Sequence, residues 1–570
     1  MKGCLLTLLF TLFFPIALAG ASRIDVYFVP GLSADNLKVS PYRELAEHGQ
    51  IALMSWPTGE LPRTPYNAMN VLMHGSTEKN LPPENALPAL LSHEILTGEL
   101  RFLSNIKELD PQKSVTYLIS PWQPRGKTRL CLLILLGPGI AVGTLSSPTT
   151  RTPGLISNVD IAPTILTELG KPIPPTMTGN PILCTPNSNS VAALLRLDGI
   201  ISLNGRALVP IFCILGGMIT VIGIGGICML RGRPRTGPWF AFGVLVMMNM
   251  GFALLGVVML AQWFHITRER DYGLCLIGLM IFCALAEVVI SRRINARAID
   301  PERSIPLTTL WLLAGFTITA ILLDTITGQN CIKFSLLSGY QLSGIRFYGM
   351  GNEYMGFLLG MSLLWAFLSG KTRLRQILIA LVFVSSWFII SLPAFGAKGG
   401  GAITGVVAFG LAWIALQGRK ITWKSLIGLI TLGMLSAFGI ALLERYLGGT
   451  HSSHIGGALK AADSRGFSYL LAIIERKALM NLHITFAPGM LWSYAGITAA
   501  VYAANRLIGK EIQRLISKYP EWVKAWPVVC CSSLIALIFN DSGAVAAIFL
   551  FGVFFASGLF LLFEGTSGTV

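Results

Sequence analysis

Between residues 339 and 354 the chain reads GYQLSGIRFYGMGNEY, which puts Arg346, Asn352 and Glu353 within eight residues of one another. An arginine offers a planar cation that grips phosphate through two hydrogen bonds, and a glutamate offers a carboxylate for proton transfer. A second polar knot, NDSG at 540–543, sets Asp541 between two apolar runs. LPAFGAKGGG (392–401) carries Lys398, and the long segment 444–481 carries His451, His454 and Arg465. Ionisable groups at the edge of apolar runs are costly to bury, which makes them functional candidates. Taken singly, each also fits a solvated loop residue or a helix cap. As a set, Arg346, Glu353 and Asp541 are candidate catalytic residues, and Asn352 and Arg465 candidate ligand contacts. His451 and His454 have the i, i+3 spacing of metal ligands on one helix face. Gly448, Gly449, Gly456 and Gly457 flank them and favour a loop instead, so no metal role is assigned.

Those residues sit in a chain built for a bilayer. Of 570 residues, 53% are hydrophobic and 13% charged, and the mean hydropathy of +0.64 exceeds that of soluble globular proteins. The net charge of +16 comes without a nucleic-acid-binding motif, and no nucleic-acid partner is expected. The N-terminus, MKGCLLTLLFTLFFPIALAGAS, reads as a secretory signal with cleavage after Ala19. Residues 20–205 then form an extracytoplasmic domain and 206–570 a polytopic membrane domain. Eleven apolar spans are expected, at about 207–230, 239–263, 273–291, 305–324, 354–370, 376–393, 400–417, 425–443, 485–507, 525–540 and 543–563. With an exported N-terminus, the inner loops hold eighteen Lys and Arg against ten in the outer loops. That bias agrees with the positive-inside rule, and it puts the C-terminus in the cytoplasm and the polar motifs outside. A bacterial cell membrane is the expected location. Cys131 and Cys184 lie in the exported part, where a disulfide could form.

Residues 23–205 read as α/β. RIDVYFV, IALM, VTYLIS and RLCLLILL are short strand-like runs, while PYRELAEHG, PYNAMNVLMHG, NALPALLSHEIL and DIAPTILTELG fit helices. Their alternation suggests a mostly parallel sheet. In DIAPTILTELG, Asp160 is placed to cap the helix, Pro163 lies in its first turn and Gly170 ends it.

NVDIAPTILTELGKPIPPTMTGNPI (158–182) resembles the C-terminal helix and turn of the alkaline phosphatase superfamily, which includes sulfatases, nucleotide pyrophosphatases and cofactor-independent phosphoglycerate mutases. IDVYFVPGLSADNL (24–37), GQIALMSWPTGELPRTPYNAMNVLMHGS (49–76) and LLILLGPGI (132–140) are similar to further segments in the same order. The resemblance implies that Thr64 takes the nucleophile position, Asn67 contacts phosphate and Gly75 ends a helix. It also implies a mechanism with two divalent metals held by Asp and His. The ligand positions depart from that pattern. Pro30 stands where the first Asp belongs, Ser120 and Pro121 stand where an Asp-His pair belongs, and 140–158 contains no His. His48 and His74 end helices just before glycines and fit C-caps. Without ligands Thr64 has nothing to activate it. The expected domain is therefore shortened and non-catalytic, without a cofactor, and it binds a phosphoester or other anionic envelope ligand. Divalent metals enter only if ligands have relocated and the domain is active.

A second function places the activity in the membrane half. Its layout is similar to multi-spanning enzymes that join lipid-linked glycans outside bacterial cells, which use loop arginines to hold a pyrophosphate leaving group. Its partners would be the bilayer and a lipid-linked or anionic envelope substrate. A third function, transport, finds no internal repeat and no clear charged residue in mid-span.

Overall fold

The computed structural model describes residues 23–57, 65–74, 100–103, 110, 112–120, 129–174, 177–232, 237–296, 304–338, 341–344, 346–370, 372–396, 398–447, 475, 478–479, 481–483, 486 and 509–564. The chain divides into two compact units. One comprises residues 1–206 with 339–348, and the other 207–338 with 349–570.

The first unit is built on a mixed sheet. Its strands are β1 (Ile24–Phe28), β2 (Gln50–Ser55), β3 (Leu100–Leu103), β4 (Val115–Ile119), β5 (Cys131–Leu136), β6 (Gly143–Ser146), β7 (Leu155–Ser157) and β8 (Leu183–Pro186). The order is β3-β1-β4-β5-β2-β6-β8, with β7 also paired to β2. β1 runs parallel to β3 and β4, and β2 parallel to β6 and β7. β5 runs against both β4 and β2, and β8 against β6. The sheet is thus less parallel than the alternating pattern suggested. Six strands still share one direction, and their carboxyl ends lie along one edge. β2, β4 and β5 are buried at every residue, which fits the unbroken apolar run of β5 and the mostly apolar sequences of β2 and β4. Cys131 and Cys184 are free thiols on strands separated by β2 and β6.

Helices α1 (Tyr42–Glu47), α2 (Pro65–His74) and α3 (Ile161–Glu168) belong to this unit. The expected helix in NALPALLSHEIL, with His93, and Gly75 at the end of α2 lie outside the described residues. α3 buries Ile161, Ala162, Ile165 and Leu166 in the same core as β1, β2, β4 and β5. At roughly 1.5–3 kcal/mol for each fully buried large side chain, this face alone anchors the helix. Gly170, at φ +68°, ends it as expected.

The helix α4 (Ser190–Gly232) carries the chain out of the first unit at Arg206. The second unit is helical: α5 (Gly237–Met248), α6 (Met250–Trp263), α7 (Glu269–Ala296), α8 (Ile305–Ile326), α9 (Asn352–Leu368), α10 (Arg373–Ser391), α11 (Gly399–Leu416), α12 (Trp423–Leu447), α13 (Pro520–Phe539) and α14 (Gly543–Glu564). Among the described residues eight helices are long and apolar enough to cross a membrane, or nine with α5 and α6 as one span bent by 55°. The protein is therefore a multi-pass membrane protein.

Ten of the eleven expected spans fall on these helices, and 485–507 lies outside the described residues. α9 has 17 residues and is buried at all but Glu353 and Trp365, so it is a central helix rather than a lipid-facing one. Its GFLLG run lets α14 approach closely. A Cβ on Gly356 would stand 2.6 Å from the Ala546 carbonyl oxygen, and one on Gly360 would stand 3.0 Å from that of Leu550.

Candidate functional site

Three polar motifs far apart in sequence meet in the helical unit. α9 begins at Asn352, directly after RFYGMG, and α11 begins at Gly399, directly after LPAFGAK. Lys398 occupies the N-cap of α11, is 9% exposed, and donates from Nζ to Asn352 Oδ1 in the first turn of α9. Gln329 ties the two preceding loops together. Its Nε2 donates to the Phe395 carbonyl at 2.7 Å, and its Oε1 accepts from the Gly349 N–H at 2.9 Å. The third motif, FNDSG, follows α13. Asn540 is 5% exposed and donates from Nδ2 to Thr404 Oγ1 on α11 at 3.0 Å and to the Ala536 carbonyl at 2.9 Å. Any side chain at Gly400 would strike the Phe539 carbonyl, so the start of α11 lies directly on the end of α13. Asn481 clamps the turn from the other side. Its Nδ2 donates to the carbonyls of Leu537 (3.0 Å) and Asn540 (2.5 Å), and its Oδ1 accepts from the Gly543 N–H (2.9 Å).

The electrostatics of this cluster are distinctive. A helix N-terminus carries a partial positive charge and favours anions. Here α9 and α11 both begin at the cluster, and a buried ammonium is added to them. Glu353, in the first turn of α9, and Asp541, half-buried in the turn after Asn540, supply negative charge. The cluster holds the groups needed to receive phosphate and to move a proton.

A second place where polar groups gather is the carboxyl edge of the N-terminal sheet, where open α/β sheets commonly bind ligands. Ser55 ends β2, and Ser120 follows β4 and accepts from the Gly31 N–H at 3.1 Å. Asn158, after β7, donates from Nδ2 to the carbonyls of Pro57 (3.2 Å) and Ala68 (3.3 Å), joining α2 to this edge. The loop 341–348, which lies between α8 and α9 in sequence, packs within this unit. Ser55 Oγ donates to the Gln341 carbonyl at 2.8 Å, and the Arg151 guanidinium sits 3.8 Å from the centre of the Tyr348 ring. Gly344, at φ +69°, passes so close that a Cβ would stand 2.7 Å from Pro57.

Three acids of this unit are held by its own donors. Asp25 accepts from Arg101 Nε (2.9 Å) and Nη2 (3.0 Å), Arg23 Nε (3.1 Å) and Ser114 Oγ (2.6 Å). Asp35 pairs with Lys38 and Arg129. Asp160 accepts from Ser147 Oγ (2.7 Å), Thr149 Oγ1 (2.5 Å) and the N–H groups of Ser157 (3.0 Å) and Asn180 (3.0 Å). Burial raises Asp160 above the ordinary carboxylate range against the pull of these donors. Asp160 stands at the N-cap position of α3, as expected, but does not cap it through its side chain. Its side chain makes no bond into α3 and instead closes a capping box with Ser157 around the short 3-10 turn that precedes it. His48 and His74 each bond a carbonyl four residues back through Nδ1, at 2.8 and 2.9 Å, consistent with helix ends. Among the described residues no group of three or more His, Cys, Asp or Glu gathers in a metal-binding arrangement.

The candidate residues are thus distributed unevenly. Asn352, Glu353 and Asp541 belong to the helical unit, where Asn352 joins Lys398, while Arg346 and Asn67 are half-buried in the N-terminal unit. Thr64, Arg465, His451 and His454 lie outside the described residues. Sequence reasoning singled out Asp541 in FNDSG, yet the deeply buried member is Asn540. It did not single out Asn481, whose setting, ALMNLH, carries no motif. It also found no charged residue in mid-span. α7 runs on to Ala296 and encloses Glu287, which is buried. Set against known proteins, the chain matches no family model, no curated protein and no solved structure.

Proposed function

We propose that the helical unit receives the phosphate-bearing head of a lipid-linked substrate at the cluster of Asn352, Glu353, Lys398, Asn540 and Asp541, and that the protein acts as a transferase in cell-envelope polymer assembly. The observation that carries this reading is Lys398. The residue is 9% exposed, donates to Asn352 and stands where two helices begin, so a buried positive group lies at the meeting point of the three polar motifs, a setting suited to phosphate. In the transfer, an acceptor hydroxyl attacks the glycan carbon attached to the phosphate. Glu353 takes the hydroxyl proton, and the phosphate leaves with the bonding electrons, stabilised by Lys398. The charge bias of the loops supports an outer-face location in a bacterial membrane, with the C-terminus inside.

The test is binding of a polyprenyl pyrophosphate to the full chain in nanodiscs. Lys398→Met is expected to weaken it about 30-fold or more, the scale for removing one partner of a desolvated charged pair. Equal affinity for wild type and a folded Lys398→Met protein would sink the proposal.

The docked loop at Ser55 favours a second, compatible reading of the N-terminal unit. It is an alkaline-phosphatase-like domain that holds the Arg346 loop and binds an anionic group without hydrolysing it. The residues present do not fit a pair of divalent metals. Pro30 and Pro121 offer no ligand, Ser120 accepts from Gly31, and Asp25 and Asp160 are surrounded by donors. No hydrolysis of p-nitrophenyl phosphate is expected with zinc, magnesium or manganese. Metal-dependent turnover lost in Thr64→Ala would refute this.

A further inference from the structure

The span formed by α5 and α6 is broken at Asn249, where its two halves bend by 55°. The residue is 1% exposed. Its side chain explains part of the bend, because Nδ2 donates to the Leu245 carbonyl one turn back at 3.1 Å, in competition with the helix backbone. The same Nδ2 donates across to Glu287 Oε2 on α7 at 2.9 Å. Both bonds require the amide nitrogen on this side, which fixes the orientation of the amide and leaves Asn249 Oδ1 buried with no hydrogen-bond partner among the described residues.

Glu287 is 1% exposed, nine residues from the end of α7, in a span with only apolar and small neighbours along its sequence. α5, α6 and α8 pack on α7, and among the described residues none of them brings a cation or another acid to it. The titratable group facing it is the Cys283 thiol, one turn back on α7 itself. One turn further along α7, Ser291 Oγ accepts from Thr309 Oγ1 on α8 at 2.9 Å, and both hydroxyls are buried.

An ionised carboxylate with one amide donor and no counter-charge is badly placed at such depth, and the usual resolution is to take up a proton. A proton on Glu287 would also furnish the donor that Asn249 Oδ1 lacks. Discontinuous membrane helices frequently carry such ion sites. We propose that Glu287 and Asn249 form a proton-binding site within the membrane, in which the carboxylic acid and the amide pair with each other at the break of the bent span.

Infrared difference spectroscopy of the full chain in nanodiscs tests this. Wild type at pH 7 is expected to show the carbonyl stretch of a buried carboxylic acid, which disappears at alkaline pH and is absent from Glu287→Gln. In Asn249→Leu the band is expected to persist at higher wavenumber, because the acid has lost its amide partner. Three outcomes would each overturn the proposal: a wild-type spectrum that Glu287→Gln leaves unchanged, a band that Asn249→Leu does not move, or a titration midpoint that shifts with sodium concentration. The last would assign the site to a metal cation instead.

Discussion

The two units place two of their buried acids and one buried cation in different surroundings. In the N-terminal unit, Asp25 and Asp160 each accept four hydrogen bonds from the surrounding fold. Their carboxyl oxygens meet local donors, so the fold itself accounts for them. In the helical unit, Lys398 is a cation set at the positive ends of α9 and α11. It donates to a neutral amide, at Asn352 Oδ1. The comparison separates carboxyl groups enclosed by a full set of donors from an ammonium set at two helix starts, in a way that composition alone does not.

The contrast is open to direct attack. Asp160→Ala is expected to cost about 4 kcal/mol, since four donors lose their acceptor in a buried setting. Hydrogen exchange of peptides from β6 and β7 measures it, and a loss under about 1 kcal/mol would break the distinction. Lys398→Met should cost less. Its stability should fall by about 1–2 kcal/mol, because one buried acceptor, Asn352 Oδ1, loses a donor. A large destabilisation would make Lys398 structural after all.

A smaller effect sharpens the N-terminal half. Glu168, at the end of α3, is pushed up to about 7 by burial, with the Tyr117 hydroxyl pulling the other way. Between its unfolded value of 4.5 and about 7, the folded unit keeps a proton that the unfolded chain has released. Stability should therefore be fullest below pH 4.5, fall as pH rises through this window, and level off above about 7. Glu168→Gln should flatten the profile and exceed wild type above pH 7 by up to about 3 kcal/mol. A pH profile unchanged by the substitution would show that Glu168 reaches solvent.

Some of this was legible in the residues. GMGNEY, FGAKGGG and FNDSG mix glycine with polar groups in a way that plain connectors rarely do, and the structure brings them together. Which side chain of Asn540 and Asp541 turns inward was not legible, because packing against α11 decides it. The direction of β5 was hidden as well. CLLILL is apolar on both faces, and an unbroken apolar run carries no sign of parallel or antiparallel pairing. Glu287 escaped because hydropathy falls at Ser291, whereas the helix continues through RRINA. The DIAPTILTELG pattern carried helix α3 and its end at Gly170. It did not carry the environment of Asp160, which depends on Thr149 and Asn180 arriving from separate loops.

The N-terminal unit is not contiguous in the chain, since its last piece, 341–348, emerges only after residues 207–338. During synthesis, Ser55 and Pro57 must therefore wait for Gln341 and Gly344 until α8 has been made. Nascent domains usually fold in order as they leave the ribosome. This one has a built-in delay, and its completion reports that residues 207–338 of the helical unit have already been made. A chain stopped before residue 339 would lack the hydrogen bond from Ser55 to Gln341 and the packing of Gly344 on Pro57.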